Sequence, residues 1–212
     1  LRKNDILMIA DEVICGFGRT GNMWGSETFN IYPDIITCAK GLSSAYFPIA
    51  AVLMSNDIAE EVEKQAVKLG QFGHGYTYSG HPVAAAVALK TLQIMEERRI
   101  LDHVREMGKL FFERVSDLRK YSCVGDIRAI GLIGAAEFIK PGTERKKLDP
   151  SYKFAATVVK AVQENGVIIR ALPIDGIAFC PPLVITGPEI NEMFDRIQAV
   201  LFEMDKTAKT LN

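Results

Sequence analysis

Apolar residues along this chain fall into two patterns: short unbroken runs near its start, and stripes spaced by three and four later on. The first run, Ile6 to Ala10, is followed at once by Asp11 and Glu12. A second, Ile35 to Ala39, ends at Lys40, and a third, Ile49 to Met54, leads into a polar helical stretch from Ile58 to Gly70. Short apolar runs ending in polar residues predict strands buried on both faces of an open, mostly parallel α/β sheet, where sites form at the carboxyl ends of strands.

Pro82 suits the first turn of a helix, and the alanine-rich stretch to Glu97 continues it without a breaker. Leu101, Val104, Gly108, Phe111, Val115 and Leu118 make one apolar stripe, which predicts a further helix. From Cys123 the pattern changes. Residues 124–139 read as one or two strands, Tyr152 to Glu164 as a helix, and residues 166–172 and 176–185 as two more strands. Thr186 with Glu189 is a capping box, and Ile190, Phe194, Ile197 and Leu201 behind it predict a closing helix. The expected division is an α/β portion over residues 1–100 and a compact α+β domain over 101–212.

Composition narrows the function. With 48% hydrophobic and 24% charged residues the chain can bury a core, and a net charge of −1 gives no one-signed field for nucleic acid or an anionic membrane. Cys15, Cys38, Cys123 and Cys180 are too dispersed for a disulfide scaffold and read as reduced thiols. Apolar runs are too short to span a membrane and the first residues do not form a signal peptide, so a cytoplasmic location is expected. His74, His81 and His103 lack metal-ligand spacing; no metal is expected. The chain opens at Leu1 a few residues before a strand, as expected of a chain that begins within a domain.

Gly16, Gly18 and Gly21 match the dinucleotide pattern G-x-G-x-x-G. The context is wrong: the glycines should open a helix and an acidic residue should end the next strand, whereas Asp34 precedes it. Asp11 and Lys40 carry more. Each ends an apolar run, and parallel neighbours would bring them to one cleft. A partly desolvated lysine offers a neutral amine to an aldehyde, and a buried carboxylate can hold a proton on a pyridine nitrogen. The plain alternative is a turn-capping aspartate and a solvated lysine, although lysine seldom ends a run such as DIITCA.

The blocks ADEVICGFGRTGNMWG, PDIITCAKGLSSAYFPIAAVLM and GHGYTYSGHPVAAAVAL closely resemble those of class III (omega) aminotransferases, and the likeness continues through VGDIRAIGLIGAAEF and GVIIRALPIDGIAFCPPLVIT. The resemblance implies a pyridoxal-5'-phosphate-dependent transferase of fold type I: the later part of the large cofactor domain over residues 1–100, then the C-terminal small domain. It implies that Lys40 bonds to the cofactor and shuttles protons, that Asp11 holds the pyridine nitrogen, and that Val13 packs on the ring, the alternative for Val13 being a core valine. Thr77 would reach the cofactor phosphate of a neighbouring subunit, making a homodimer or a tetramer with shared sites; otherwise Thr77 and Ser79 simply end a loop. Arg170 would bind a substrate carboxylate, or else lie at the surface.

The implied reaction moves an amino group between an omega-amino acid or amine and a keto acid such as pyruvate. Ornithine, 4-aminobutyrate and diaminopelargonate aminotransferases, an aminomutase, and a non-catalytic module are the alternatives. A complete member is about twice this long, so an N-terminal half with the phosphate cup is expected elsewhere: on a separate chain, lost to proteolysis, or absent from an incomplete sequence. The piece alone is then expected to be inactive.

Overall fold

The computed structural model describes residues 1–173 and 175–211, the side chain of residue 2 apart. They form two compact units, Leu1–Leu101 and Asp102–Asn212.

In the first unit, β1 (Ile9–Asp11), α1 (Gly25–Thr28), β2 (Ile35–Cys38), β3 (Ala51–Met54), α2 (Asn56–Leu69) and α3 (Pro82–Glu97) follow one another. The sheet order is β1-β2-β3. β1 and β2 are parallel, with Ile9 opposite Ile35 and Asp11 opposite Thr37. β3 runs antiparallel to β2, with Cys38 opposite Ala51. The parallel pairing expected from the sequence thus holds for β1 and β2, while the connection of residues 39–50 folds back as a short 3-10 helix, Lys40–Ser43, and returns the chain in the opposite sense.

Two details depart from the sequence reading. Pairing starts later than the apolar run, because the Met8 carbonyl takes the N–H groups of Asp34 and Ile35 at 2.9 and 3.1 Å and fixes the register there. Ile6 and Leu7 precede the ladder and are exposed. The strands are also not buried on both faces: Ile9 is 62% exposed and all of β3 is exposed, leaving Cys38 as the buried residue of β2.

The second unit begins within α4 (Ile100–Ser116) and continues through β4 (Val124–Ile130), β5 (Ile133–Phe138), α5 (Phe154–Glu164), β6 (Arg170–Leu172), β7 (Gly176–Phe179) and α6 (Gly187–Thr210). Its sheet has the order β4-β5-β7-β6, antiparallel throughout. β7 stops at Phe179, short of the expected residue 185, because Pro181 and Pro182 cannot donate to a ladder. Phe111, Phe138, Phe154, Phe179 and Phe194 are fully buried. Burying each contributes about 1.5–3 kcal/mol, and edge-to-face pairs such as Phe138 with Phe154 (centroids 5.0 Å apart) add specificity. α6 starts as the capping box requires, the Glu189 carboxylate accepting from the Thr186 N–H at 2.8 Å. Near its end the buried Asp205 accepts from the Cys123 N–H at 2.7 Å and the Ser122 hydroxyl at 2.8 Å, tying the helix to the start of the sheet.

Candidate active site

The carboxyl edge of the parallel pair carries Asp11, Val13 and Lys40. Asp11 is the last residue of β1, and the ladder runs one step further through the Glu12 N–H, which donates to the Thr37 carbonyl at 2.9 Å. The Asp11 Oδ1 accepts from the Val13 N–H at 3.1 Å and makes a longer 3.5 Å contact with the Thr37 hydroxyl. Lys40, three residues beyond Thr37, opens the 3-10 helix with φ at 44°, in the left-handed region. An L-residue with a Cβ holds that conformation at a cost of about 1–3 kcal/mol, so its surroundings must enforce it.

Those surroundings are specific. α3 packs against the Lys40–Ser43 turn. Ser43 is buried and its hydroxyl donates to the Phe47 carbonyl at 2.6 Å. The Phe47 ring lies 5.1 Å from that of His81, which in turn caps α3 by accepting the Ala84 N–H at Nδ1 (3.4 Å). The structural role expected of His81 is that of a helix cap. His103 is likewise engaged, its Nε2 2.9 Å from the Ile185 carbonyl oxygen.

Asp11 and Lys40 both lie exposed, so neither the desolvated setting expected for the lysine nor the burial expected for the carboxylate is supplied by the described residues. Val13 is half-buried. Thr77 is exposed within a tight turn closed by Tyr76 and Ser79, whose paired bonds are 2.9 Å each. Around it Tyr76 and Tyr78 are 79% and 83% exposed, and Phe72, His74 and Tyr76 stack edge-on in series. Arg170 begins β6 in the second unit and is exposed. The glycines of the dinucleotide-like pattern do not open a long helix: Gly18 and Gly21 are turn residues with φ of 96° and 94°, and the helix that follows, α1, is four residues long.

One residue escaped sequence reading beyond its place in an acidic pair. Glu12 is 3% exposed, and its carboxylate oxygens accept the N–H groups of Gly25 at 2.8 Å and Ser26 at 2.6 Å. Nothing in its spacing announces partners so far along the chain. Among the thiols, burial pushes Cys38 up, and burial together with the Asp205 carboxylate pushes Cys123 up to about 12; Cys180 is exposed. No group of three or more His, Cys, Asp or Glu able to hold a metal ion occurs among the described residues, and none of their helices is long and apolar enough to cross a membrane.

Comparison with known proteins assigns this architecture. The aminotransferase class-III family matches residues 1–201. An uncharacterized aminotransferase of Sinorhizobium fredii is 45% identical over 195 residues, which is 91% of this chain and 42% of that protein. Gamma aminobutyrate transaminase 1, mitochondrial, of Solanum lycopersicum is 42% identical over 211 residues, 100% of this chain and 41% of that protein. The omega transaminase from Pseudomonas jessenii in complex with PMP superposes with a TM-score of 0.93 at 42% identity, over 98% of this chain and 46% of that one. The fold is therefore part of the fold-type-I architecture of pyridoxal-phosphate-dependent transferases, and the chain spans less than half the length of these relatives.

Proposed function

Because this chain belongs to the class-III aminotransferases, we propose that the protein it contributes to transfers an amino group from an omega-amino acid or amine to a keto acid such as pyruvate, using pyridoxal phosphate linked to Lys40. The observation that carries the reading is the placement of Asp11 and Lys40 at the carboxyl edge of two adjacent parallel strands. The donor set suits the cofactor: a carboxylate for a ring nitrogen, a primary amine for an aldehyde, and the Thr77 hydroxyl for a phosphate.

When bound, pyridoxal phosphate supplies the aldehyde and the electron-accepting ring that stabilises a carbanion. Asp11 keeps a proton on the ring nitrogen, its own position fixed by the Val13 N–H. The Lys40 Nζ would anchor the cofactor, then take the proton from the donor carbon and deliver it to the cofactor's aldehyde-derived carbon. Val13 lies in the turn that follows Asp11 and would offer an apolar face to the ring. Arg170 binds a donor or acceptor carboxylate as a planar fork.

Residues 1–100 are proposed as the later part of the large domain and 101–212 as the small domain. The exposed apolar residues of β1 and β3 are the surface that the remainder of the large domain would cover, since parallel sheets are normally covered on both faces. The exposed aromatic loop around Thr77 suits a homodimer in which this residue serves the neighbouring subunit's site. A cytoplasmic location is part of the proposal, beside relatives whose names place them in mitochondria. Identity to the gamma-aminobutyrate and the omega transaminase is equal, 42% in each case, so the donor is proposed as a class: primary amines, with or without a remote carboxylate.

The test is to supply the full-length protein with pyridoxal phosphate, pyruvate and a panel of amines, and to measure alanine. Alanine formed with 4-aminobutyrate, beta-alanine or an aryl amine supports the reading; no alanine with any donor, from protein that carries cofactor, defeats it.

A further inference from the structure

Glu12 adjoins Asp11, yet it is spent on the loop that follows. Its carboxylate binds the Gly25 and Ser26 amides at 2.8 and 2.6 Å, and its carbonyl accepts the Gly16 N–H at 2.9 Å. One residue thus closes both ends of the loop. The fit leaves no slack: a Cβ at Gly25 would stand 2.7 Å from the Cys15 Cβ and 3.0 Å from Glu12 Oε2, and one at Gly16 would stand 2.7 Å from the Glu12 carbonyl oxygen. A buried carboxylate is costly unless such charge-assisted bonds satisfy it.

Inside the loop, the Phe17 N–H donates to the Met23 carbonyl at 2.7 Å, and the Phe17 ring packs edge-on against Trp24 with centroids 5.1 Å apart. Phe17 is 4% exposed, and it also lies against the residue after Lys40: a Cβ at Gly41 would lie 3.0 Å from the Phe17 Cβ. A continuous contact path therefore runs from Glu12 through the loop and Phe17 to Gly41, beside the left-handed Lys40.

We propose that Glu12 is a positioning residue: through the loop and the Phe17–Gly41 contact it holds the Lys40 backbone in its left-handed conformation, while its place in the ladder fixes Asp11, so that the two keep one spacing toward the cofactor. The inference rests on the reading of Lys40 and Asp11 as cofactor residues. The bland alternative is that Glu12 merely caps α1. Two comparisons separate them. Gly41 lies at the far end of the path and has no part in α1. Glu27 belongs to α1 and touches the path only by accepting the Trp24 N–H at 3.2 Å, a single bond that the amide oxygen of Glu27→Gln can keep.

The experiment titrates pyridoxal phosphate into cofactor-stripped full-length wild type, Glu12→Gln, Gly41→Ala and Glu27→Gln. It reads affinity, the induced circular dichroism per bound cofactor, covalent linkage at Lys40, and the melting temperature of the stripped protein. Glu12→Gln is expected to weaken binding about tenfold, the worth of one lost buried hydrogen bond, and Gly41→Ala, whose Cβ would press on the Phe17 Cβ at 3.0 Å, should weaken it as well. Both should also diminish the induced signal, and Glu27→Gln should change neither. If Glu12→Gln lowers only the melting temperature, or Gly41→Ala matches wild type, the brace is wrong while the functional reading stands. If wild type takes up the cofactor without linkage at Lys40, the functional reading fails and the brace fails with it. Should Glu12→Gln not fold, Gly41→Ala and Phe17→Leu decide by the same readouts.

Discussion

Asp11 stands opposite Thr37 in the parallel β1–β2 register, and its Oδ1 is engaged by the Val13 N–H at 3.1 Å. The bond organises the strand end without requiring the negative charge, since an amide oxygen can accept it equally well. Asp11→Asn is therefore expected to fold with stability within about 0.5 kcal/mol of wild type, as for other exposed positions. It should still link pyridoxal phosphate at Lys40. Loss of the charge facing the ring nitrogen should slow the donor-driven decay of the cofactor absorbance by about 100-fold or more. Stopped-flow absorbance with a saturating amine measures it.

Lys40 holds a φ of 44°. Glycine adopts that conformation without a Cβ penalty, whereas alanine retains it. Lys40→Gly should be about 1 kcal/mol more stable than Lys40→Ala in urea unfolding, although neither can take the cofactor covalently. Equal stability of the two would show that the left-handed backbone is not enforced in solution.

Much of this fold is legible in the sequence where the determinants are local. Pro82 at a helix start and the Thr186–Glu189 box mark α3 and α6 because their partners lie within one turn. The strand end at Asp11 and the turn that Lys40 opens just past β2 are legible because each residue closes an apolar run. The start of β1 is not, since hydropathy includes Ile6 and Leu7 while the Met8–Asp34 bonds, set by a partner 26 residues away, begin the ladder. Glu12 is illegible for the same reason: its partners are backbone amides, which every residue but proline carries. Thr77 and Arg170 stand out only through the family resemblance, because a threonine in a turn and an arginine at an edge strand are ordinary surface residues.

Asp205 gives the second unit a defined acid sensitivity. Burial opposes its ionisation, but the bonds from Lys209, Ser122 and the Cys123 N–H outweigh that and hold its carboxyl below the usual aspartate range. A carboxyl depressed by folding stabilises the native state above its unfolded pKa and loses that contribution as pH falls through the folded value. The contribution should be complete at neutral pH and vanish on acidification below about pH 4, and Asp205→Asn should flatten this limb in urea titrations at stepped pH. In the same cluster, Cys123, pushed up to about 12, should resist alkylation at neutral pH while the exposed Cys180 reacts. Peptide mapping reads both thiols.

Phe194 packs against Phe111 and Phe179 with ring centroids 5.6 and 5.4 Å apart, and all three are buried. Phe194→Ala should cost about 3–5 kcal/mol, whereas Val67→Ser on the exposed α2 should change stability by less than about 0.5 kcal/mol. Denaturant midpoints at a constant slope provide the comparison.

The most direct test of the central claim is borohydride reduction of the full-length protein with pyridoxal phosphate, followed by peptide mass spectrometry. A pyridoxyl group on Lys40, absent from Lys40→Ala, is the expected result. A pyridoxyl group spread over surface lysines, with Lys40 unmodified, would contradict the account.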